Sequence, residues 1–296
     1  MANAISDTGA GRAVGGLGKI IGDAVLAFNK SNVMLPLVTA KQAIKGAITV
    51  QFVDYTKIGS SDVATPGDGA DQSTLTSIDT AAKSATVSEH VIRTDVSDLA
   101  RMGNAEDYTG NVGAVLGNAI AAKLDADLTA LGTAFSQTEC GAGTALALSH
   151  LFGSMRQLRA AGAPFPYNLV LSPKQVWGAK GLSGLLVDTH GTAGNGQIAD
   201  NPLSQSKLTN GEVGTIAGFN VYWSDQIEED VSSGGDAAGF AFSKGAVGCA
   251  VGPEGLIRIE TQRDASFRTT EYIGTGFWGE IEIHDGFGVY ILSDVS

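Results

Sequence analysis

The sequence predicts an α+β fold. Three observations carry the prediction. Apolar residues repeat at helical spacing over 105–131, and β-branched and aromatic residues cluster in short runs such as AITVQFVDY (47–55). Helical and extended segments also do not alternate strictly along the chain, which argues against a doubly wound sheet. The 40 glycines suit turns and irregular backbone better than a helical bundle.

Residues 1–16 are small, polar and glycine-rich, and read as an arm without a core. Residues 17–29 place Leu17, Ile20, Ile21, Ala24, Val25 and Phe28 on one stripe, which predicts a short amphipathic helix needing a surface to cover it. Pro36 bars helix from the next stretch, and residues 47–55 read as a strand. Thr56 to Thr74 is nearly free of large apolar groups, and residues 75–98 return as one or two extended segments. The pair makes a long two-stranded excursion with an empty tip. An isolated hairpin is marginal in water, so this one needs another surface to lie on.

The clearest helix runs over 105–131, with Val112, Val115, Leu116, Ala119, Ile120, Leu124, Leu128 and Leu131 on one face. Asn104 is its expected N-cap, Glu106 and Asp107 suit its first turn, and Lys123 and Asp127 pair on the wet side. ECGAGTA (139–145) reads as a loop. A helix over 149–162 follows, capped by Ser149 and ended by Gly162. Tyr167 to Leu171 reads as a buried strand, and Pro173 opens a helix at its first position. Residues 181–209 are loop-rich. Residues 237–252 read as a strand leading into a short turn or helix, and 256–264 as a strand. The C-terminal stretch gives two strands split near His284-Asp285-Gly286.

Composition narrows the function classes. A net charge of −12 repels phosphate backbones, and no run of Lys and Arg breaks it. The N-terminus lacks a signal-peptide pattern, and no stretch is apolar enough to span a membrane. Cys140 and Cys249 stand far apart, which supports neither a zinc site nor a disulfide framework.

Motifs for chemistry are sparse. His90, His150, His190 and His284 form no HExxH or HxH pattern. His284-Asp285 could serve a hydrolase, but beside Gly286 it reads more simply as a turn. Glu228-Glu229-Asp230 lacks the alternating spacing of a calcium loop. GEVGTIAGFNVYWSDQ (211–226) has the glycine density of a phosphate cradle but no GxxxxGK[ST], and a strand pattern follows it instead of a helix. The preferred reading is a hairpin with Ala217-Gly218 at its bend. No catalytic, cofactor-binding or metal-binding residue is therefore assigned, and no enzyme is expected.

The co-linear order of these pieces resembles the major capsid proteins of tailed bacteriophages, whose fold is shared with herpesvirus capsid floors and encapsulins. AIAAKLDADLTAL (119–131) is similar to the family's spine helix, and LRAAGAPFPYNLVLSPKQVWGA (158–179) to the passage from peripheral into axial domain. GEVGTIAGFNVYWSD (211–225) and AAGFAFSKGAVGCAVGP (237–253) are similar to the axial hairpin and the return segment. The resemblance covers about residue 17 to the end.

It implies an N-terminal arm (1–30), an extended hairpin loop (47–90) and an axial domain (172–242). A peripheral domain would take 31–46, 91–171 and 243–296, with the spine at 105–131. The implied function is a shell protein that self-assembles into hexamers and pentamers of an icosahedral head enclosing double-stranded DNA. The alternative is an encapsulin-like compartment shell or another phage structural protein. Implied partners are further copies of the chain, a portal protein, a separate scaffolding protein, a cement protein, and packaged DNA by non-specific proximity. The implied place is the virion, after assembly in the host cytoplasm. Lys57 and Lys83 lie on the hairpin but match no crosslinking lysine of the family.

Leu116, Ile120, Leu124 and Leu128 are the expected anchors of the spine helix. Asp62, Asp68 and Asp71 in the loop are candidates for contact with a neighbouring subunit. Arg93, Arg101, Arg156 and Arg159 are candidate acceptors, chosen by charge.

Overall fold

The computed structural model describes residues 23–28, 32–55, 59–69, 71, 77, 80–103, 108–178, 180–182, 214–231 and 234–296. Several expectations fall outside these residues: most of the arm, the cap at Asn104 with Glu106 and Asp107, His190, Lys57, and the turn at Gly211.

The N-terminal stripe yields helix α1 over residues 23–28. A 3-10 turn at Leu35–Leu37 carries Pro36 at its second position, and β1 (Thr39–Gln42) follows. The excursion is a hairpin of β2 (Thr49–Tyr55) and β3 (Thr80–Thr86), paired antiparallel from Thr49↔Thr86 to Tyr55↔Thr80. β4 (Ser88–Ser97) runs on into a short helix α2 (Asp98–Gly103), which the sequence did not suggest. The long helix is α3 (Tyr108–Ala130), about 35 Å of rod at 1.5 Å per residue.

Residues predicted as loop at 139–145 belong to β5 (Thr138–Ala145). Its glycines allow a register break, with Cys140 paired to Leu292 and Ala145 to Asp294, so the residues between are looped out. Helix α4 (Leu148–Ala161) is capped at Ala147 instead of Ser149: the Ala147 N–H donates to His150 Nδ1 at 3.1 Å. Gly162 closes α4 in the left-handed conformation, φ 79°.

β6 (Tyr167–Leu171) leads into α5 (Pro173–Trp177), where Ser172 and Gln175 form a reciprocal capping box. β7 (Thr215–Ile216) and β8 (Phe219–Trp223) form the expected hairpin. Its two turn residues have positive φ, 50° at Ala217 and 84° at Gly218, as a tight primed turn requires. In the stretch 237–252 the strand, β9 (Asp236–Ser243), leads into a turn at 244–246, the first of the two alternatives, and the residues after it form a second strand, β10 (Val247–Val251), which the sequence did not suggest. Its small, apolar residues suit a strand buried on both faces. β11 (Ile257–Asp264), β12 (Thr269–Glu282) and β13 (Gly288–Asp294) complete the chain.

Among the described residues these strands form two main sheets. One has the order β1-β10-β12-β11, with β4 also pairing β12; the other has the order β5-β13-β9-β6-β8-β7. The second sheet is covered on both faces, so β6 and β9 are buried at every position. Val170, Phe240 and Phe242 point to the α3 side, where they meet Leu124, Leu128 and Trp278. Leu169, Leu171 and Ala241 point the other way, into a core with Leu151 and Leu158 of α4.

α3 is the shared wall of two cores. Leu116 packs with Val96, Ile259 and Tyr272 of the first sheet, while Ile120, Leu124 and Leu128 join the larger cluster. All four are at most 4% exposed. Val115, assigned to the same stripe, faces solvent at 64% exposure because it lies at the stripe's edge. α1 crosses α3 at Gly117, where a Cβ would stand 2.2 Å from the Ala24 carbonyl oxygen.

Candidate assembly interface

Among the described residues the hairpin is anchored at its root. Phe52 and Ala85 are buried with Ala43, Val50, Ala250 and Ile283. Lys83 Nζ reaches Glu282 Oε1 at 3.4 Å, and Asp54 Oδ1 lies 3.8 Å from His284 Nε2. Lys41 Nζ sits 4.8 Å over the Phe52 ring and donates to the Gln51 carbonyl. Beyond this root, residues 59–69 and 71 are exposed without exception.

The loop's local order is polar. A 3-10 turn at Ser60–Asp62 is closed by the Gly59 N–H donating to Asp62 Oδ2 at 2.9 Å. Val63, an apolar side chain, is 72% exposed there. Asp68 and Asp71 are exposed as well.

The four candidate arginines fare differently. Arg93 pairs within the chain, at 2.6 Å to Glu271 across β4–β12 and 3.4 Å to Asp95. These two carboxylates raise its pKa, the Asp95 hydrogen bond contributing most. Arg101 belongs to α2, and its side chain lies outside the described residues. Arg156 is 79% exposed and only 3.9 Å from its nearest carboxylate, Glu139. Arg159 is exposed, with its guanidinium 4.0 Å over the Phe165 ring.

α3 carries one feature that the sequence did not suggest. Asp125, 3% exposed, accepts from the Val33 and Met34 N–H groups at 2.9 and 3.0 Å. Its carboxylate thereby pins the chain that follows α1 to α3. Burial pushes the carboxyl above its ordinary range; the two N–H donors oppose that, and the Asp225 charge adds to it. The available signal was an acid among apolar positions, Ala121, Asp125 and Leu128, on a helix face that has to be buried. Gln175, fully buried, was missed too. Its amide nitrogen donates to the Ala237 carbonyl and to Ser293 Oγ, tying α5 to β9 and β13.

No chemistry converges elsewhere among the described residues. His284 stacks on Phe287 at 3.8 Å, while Asp285 accepts from the Ser136 N–H and hydroxyl, so the pair serves a turn. Glu229 accepts from the Lys174 N–H and pairs with its ammonium at 3.3 Å, whereas Asp230 accepts from Gly235, so these acids diverge. An open groove of about 430 Å³ beside them, lined by Pro173, Lys174, Trp177, Gly178, Asp225 and Glu229, is spanned by that ion pair. No cluster of His, Cys, Asp and Glu with metal-holding geometry occurs among the described residues, and no described helix is long and apolar enough to cross a membrane.

No family model matches the sequence, and no curated protein matches it. Solved structures do match its fold. The capsid of cyanophage P-SCSP1u superposes with a TM-score of 0.59 at 16% identity, over 88% of this chain and 87% of that one. The mature capsid of bacteriophage PhiM1 gives 0.57 at 11% identity, over 88% and 86%. A virus-like particle from Pyrococcus furiosus gives 0.55 at 10% identity, over 93% and 98%. The α+β fold of this chain is the fold that these capsid structures share.

Proposed function

We propose that the protein is a capsid shell subunit that self-assembles into hexamers and pentamers of an icosahedral head holding double-stranded DNA. The observation that carries this reading is the hairpin that leaves the body with a distal loop exposed at every described position. Such a loop gains buried area only on another chain. The fold supports the reading at the level of architecture. On it, residues 1–30 are an arm, 47–90 the hairpin loop and 172–242 an axial domain. Residues 31–46, 91–171 and 243–296 make the peripheral domain. A portal, a scaffolding protein and a cement protein are the expected partners, and the virion is the expected place.

Electron microscopy of the purified chain, with and without scaffolding protein, tests the proposal. Closed shells with five-fold and six-fold clusters are expected. A chain that stays monomeric under every assembly condition overturns it. The likeness to the archaeal virus-like particle favours one second reading, a compartment shell. Packaged DNA in particles from the native host supports the virus, and an enclosed enzyme supports the compartment.

A further inference from the structure

α4 carries an exposed stripe of one chemical character. Phe152, Arg156 and Arg159 are spaced four and three residues apart, which places them on one helix face. Phe165 extends the stripe under the Arg159 guanidinium, 4.0 Å from its ring centroid. Phe152 and Phe165 are 55% and 53% exposed. α4 contains no acidic residue. Its nearest carboxylate, Glu139, lies against the flank at Gly153 and accepts from Gln157 at 2.6 Å. The stripe is thus a cationic, aromatic strip on a chain of net charge −12.

The hairpin's distal loop has the opposite character. Over residues 59–71 it contains Asp62, Asp68 and Asp71, no basic residue, and the exposed apolar Val63. Of the candidate acceptors with described side chains, Arg93 is already held by Glu271, while Arg156 and Arg159 remain largely open. We infer that the stripe Phe152–Arg156–Arg159–Phe165 receives the acidic loop of a neighbouring copy of this chain, with Val63 against the aromatic rings and the aspartates against the guanidiniums. This contact rests on the shell reading and names one of its interfaces. It is head-to-tail, each copy giving a loop and receiving one, which is the arrangement that closes a ring.

Charge reversal tests it. R156E/R159E and the loop variant D62K/D68K/D71K are each expected to raise the concentration needed for assembly by about tenfold or more, since paired charges become repulsive. The variant carrying both sets of changes is expected to recover assembly. Circular dichroism melting of each monomer checks that the exposed changes leave the fold intact. If the wild type assembles and all three variants assemble equally, the contact is wrong and the shell reading stands. If each single set blocks assembly and the combined variant does not recover, the two surfaces do not meet, and the inference falls. If R156E/R159E assembles normally but loses retention of a fluorescent DNA duplex, the stripe is a nucleic-acid contact instead. A wild type that stays monomeric under every assembly condition, scaffolding protein supplied, overturns both the contact and the shell.

Discussion

β9 and β2 are strands of similar length with opposite surroundings. β9 is buried at all eight positions, with Phe240 and Phe242 against α3 and Ala241 against α4. β2 buries Val50 and Phe52 at the root and exposes Gln51 and Val53. The first strand is stabilised wholly from within the chain. The second is stabilised at one end and leaves the rest of its surface for something else. Damage to β9's core should therefore be global, and damage at β2's root local.

The strongest way to sharpen that contrast is Trp278→Ala. Trp278 is fully buried on β12, stacks on His90 at 4.0 Å and donates to Asp127. Its loss should cost about 3–5 kcal/mol and lower the midpoint of chemical unfolding for the whole chain. Phe52→Ala is next. It removes about 3 kcal/mol of anchorage, yet the loss should appear mainly as faster hydrogen exchange over 49–55 and 80–86. Equal loss of protection in β9 would break the comparison.

Asp125→Ala is smaller. It leaves the Val33 and Met34 N–H groups without acceptors, at a cost of about 1–3 kcal/mol. Faster proteolysis near residue 33 should accompany it.

The smallest expected effect is a pH dependence with two opposite signs. Asp294 is held at about 2 by Lys180 and Ser296, so its stabilisation is present above about 4 and lost as the pH falls toward 2. Asp125 is raised, so its burial penalty applies at neutral pH and is relieved as the pH falls through its titration. Melting curves of D294N between pH 5 and pH 2 should show a shallower acid loss than the wild type. An unchanged slope would remove Asp294 from the account.

The sequence was most readable where one periodicity ruled. α3 had an apolar stripe, α5 a proline at its first position, and the β7–β8 bend an Ala-Gly step between polar and apolar runs. β5 was unreadable because its glycines signal a loop while pairing with β13 makes it a strand. β10 misled for a related reason: small residues carry no period when both faces are buried. α2 is short and closes against its surroundings, with Asp98 bound by Arg263 in a bidentate pair. The candidate interface was half legible. Charge pointed to the loop aspartates and four arginines, but only geometry shows that Arg93 is already engaged and that Arg156 and Arg159 share a face with two phenylalanines.

The crossing of α1 over Gly117 constrains how the gene can drift. A single methyl group at 117 would have to occupy the Ala24 carbonyl, a backbone atom that no rotamer change can move. Codons for alanine or serine at 117 are therefore closed unless the path of residues 23–28 is rebuilt at the same time. Mutational surveys of this chain should return glycine at 117 almost alone, and any survivor should carry a second change near residue 24.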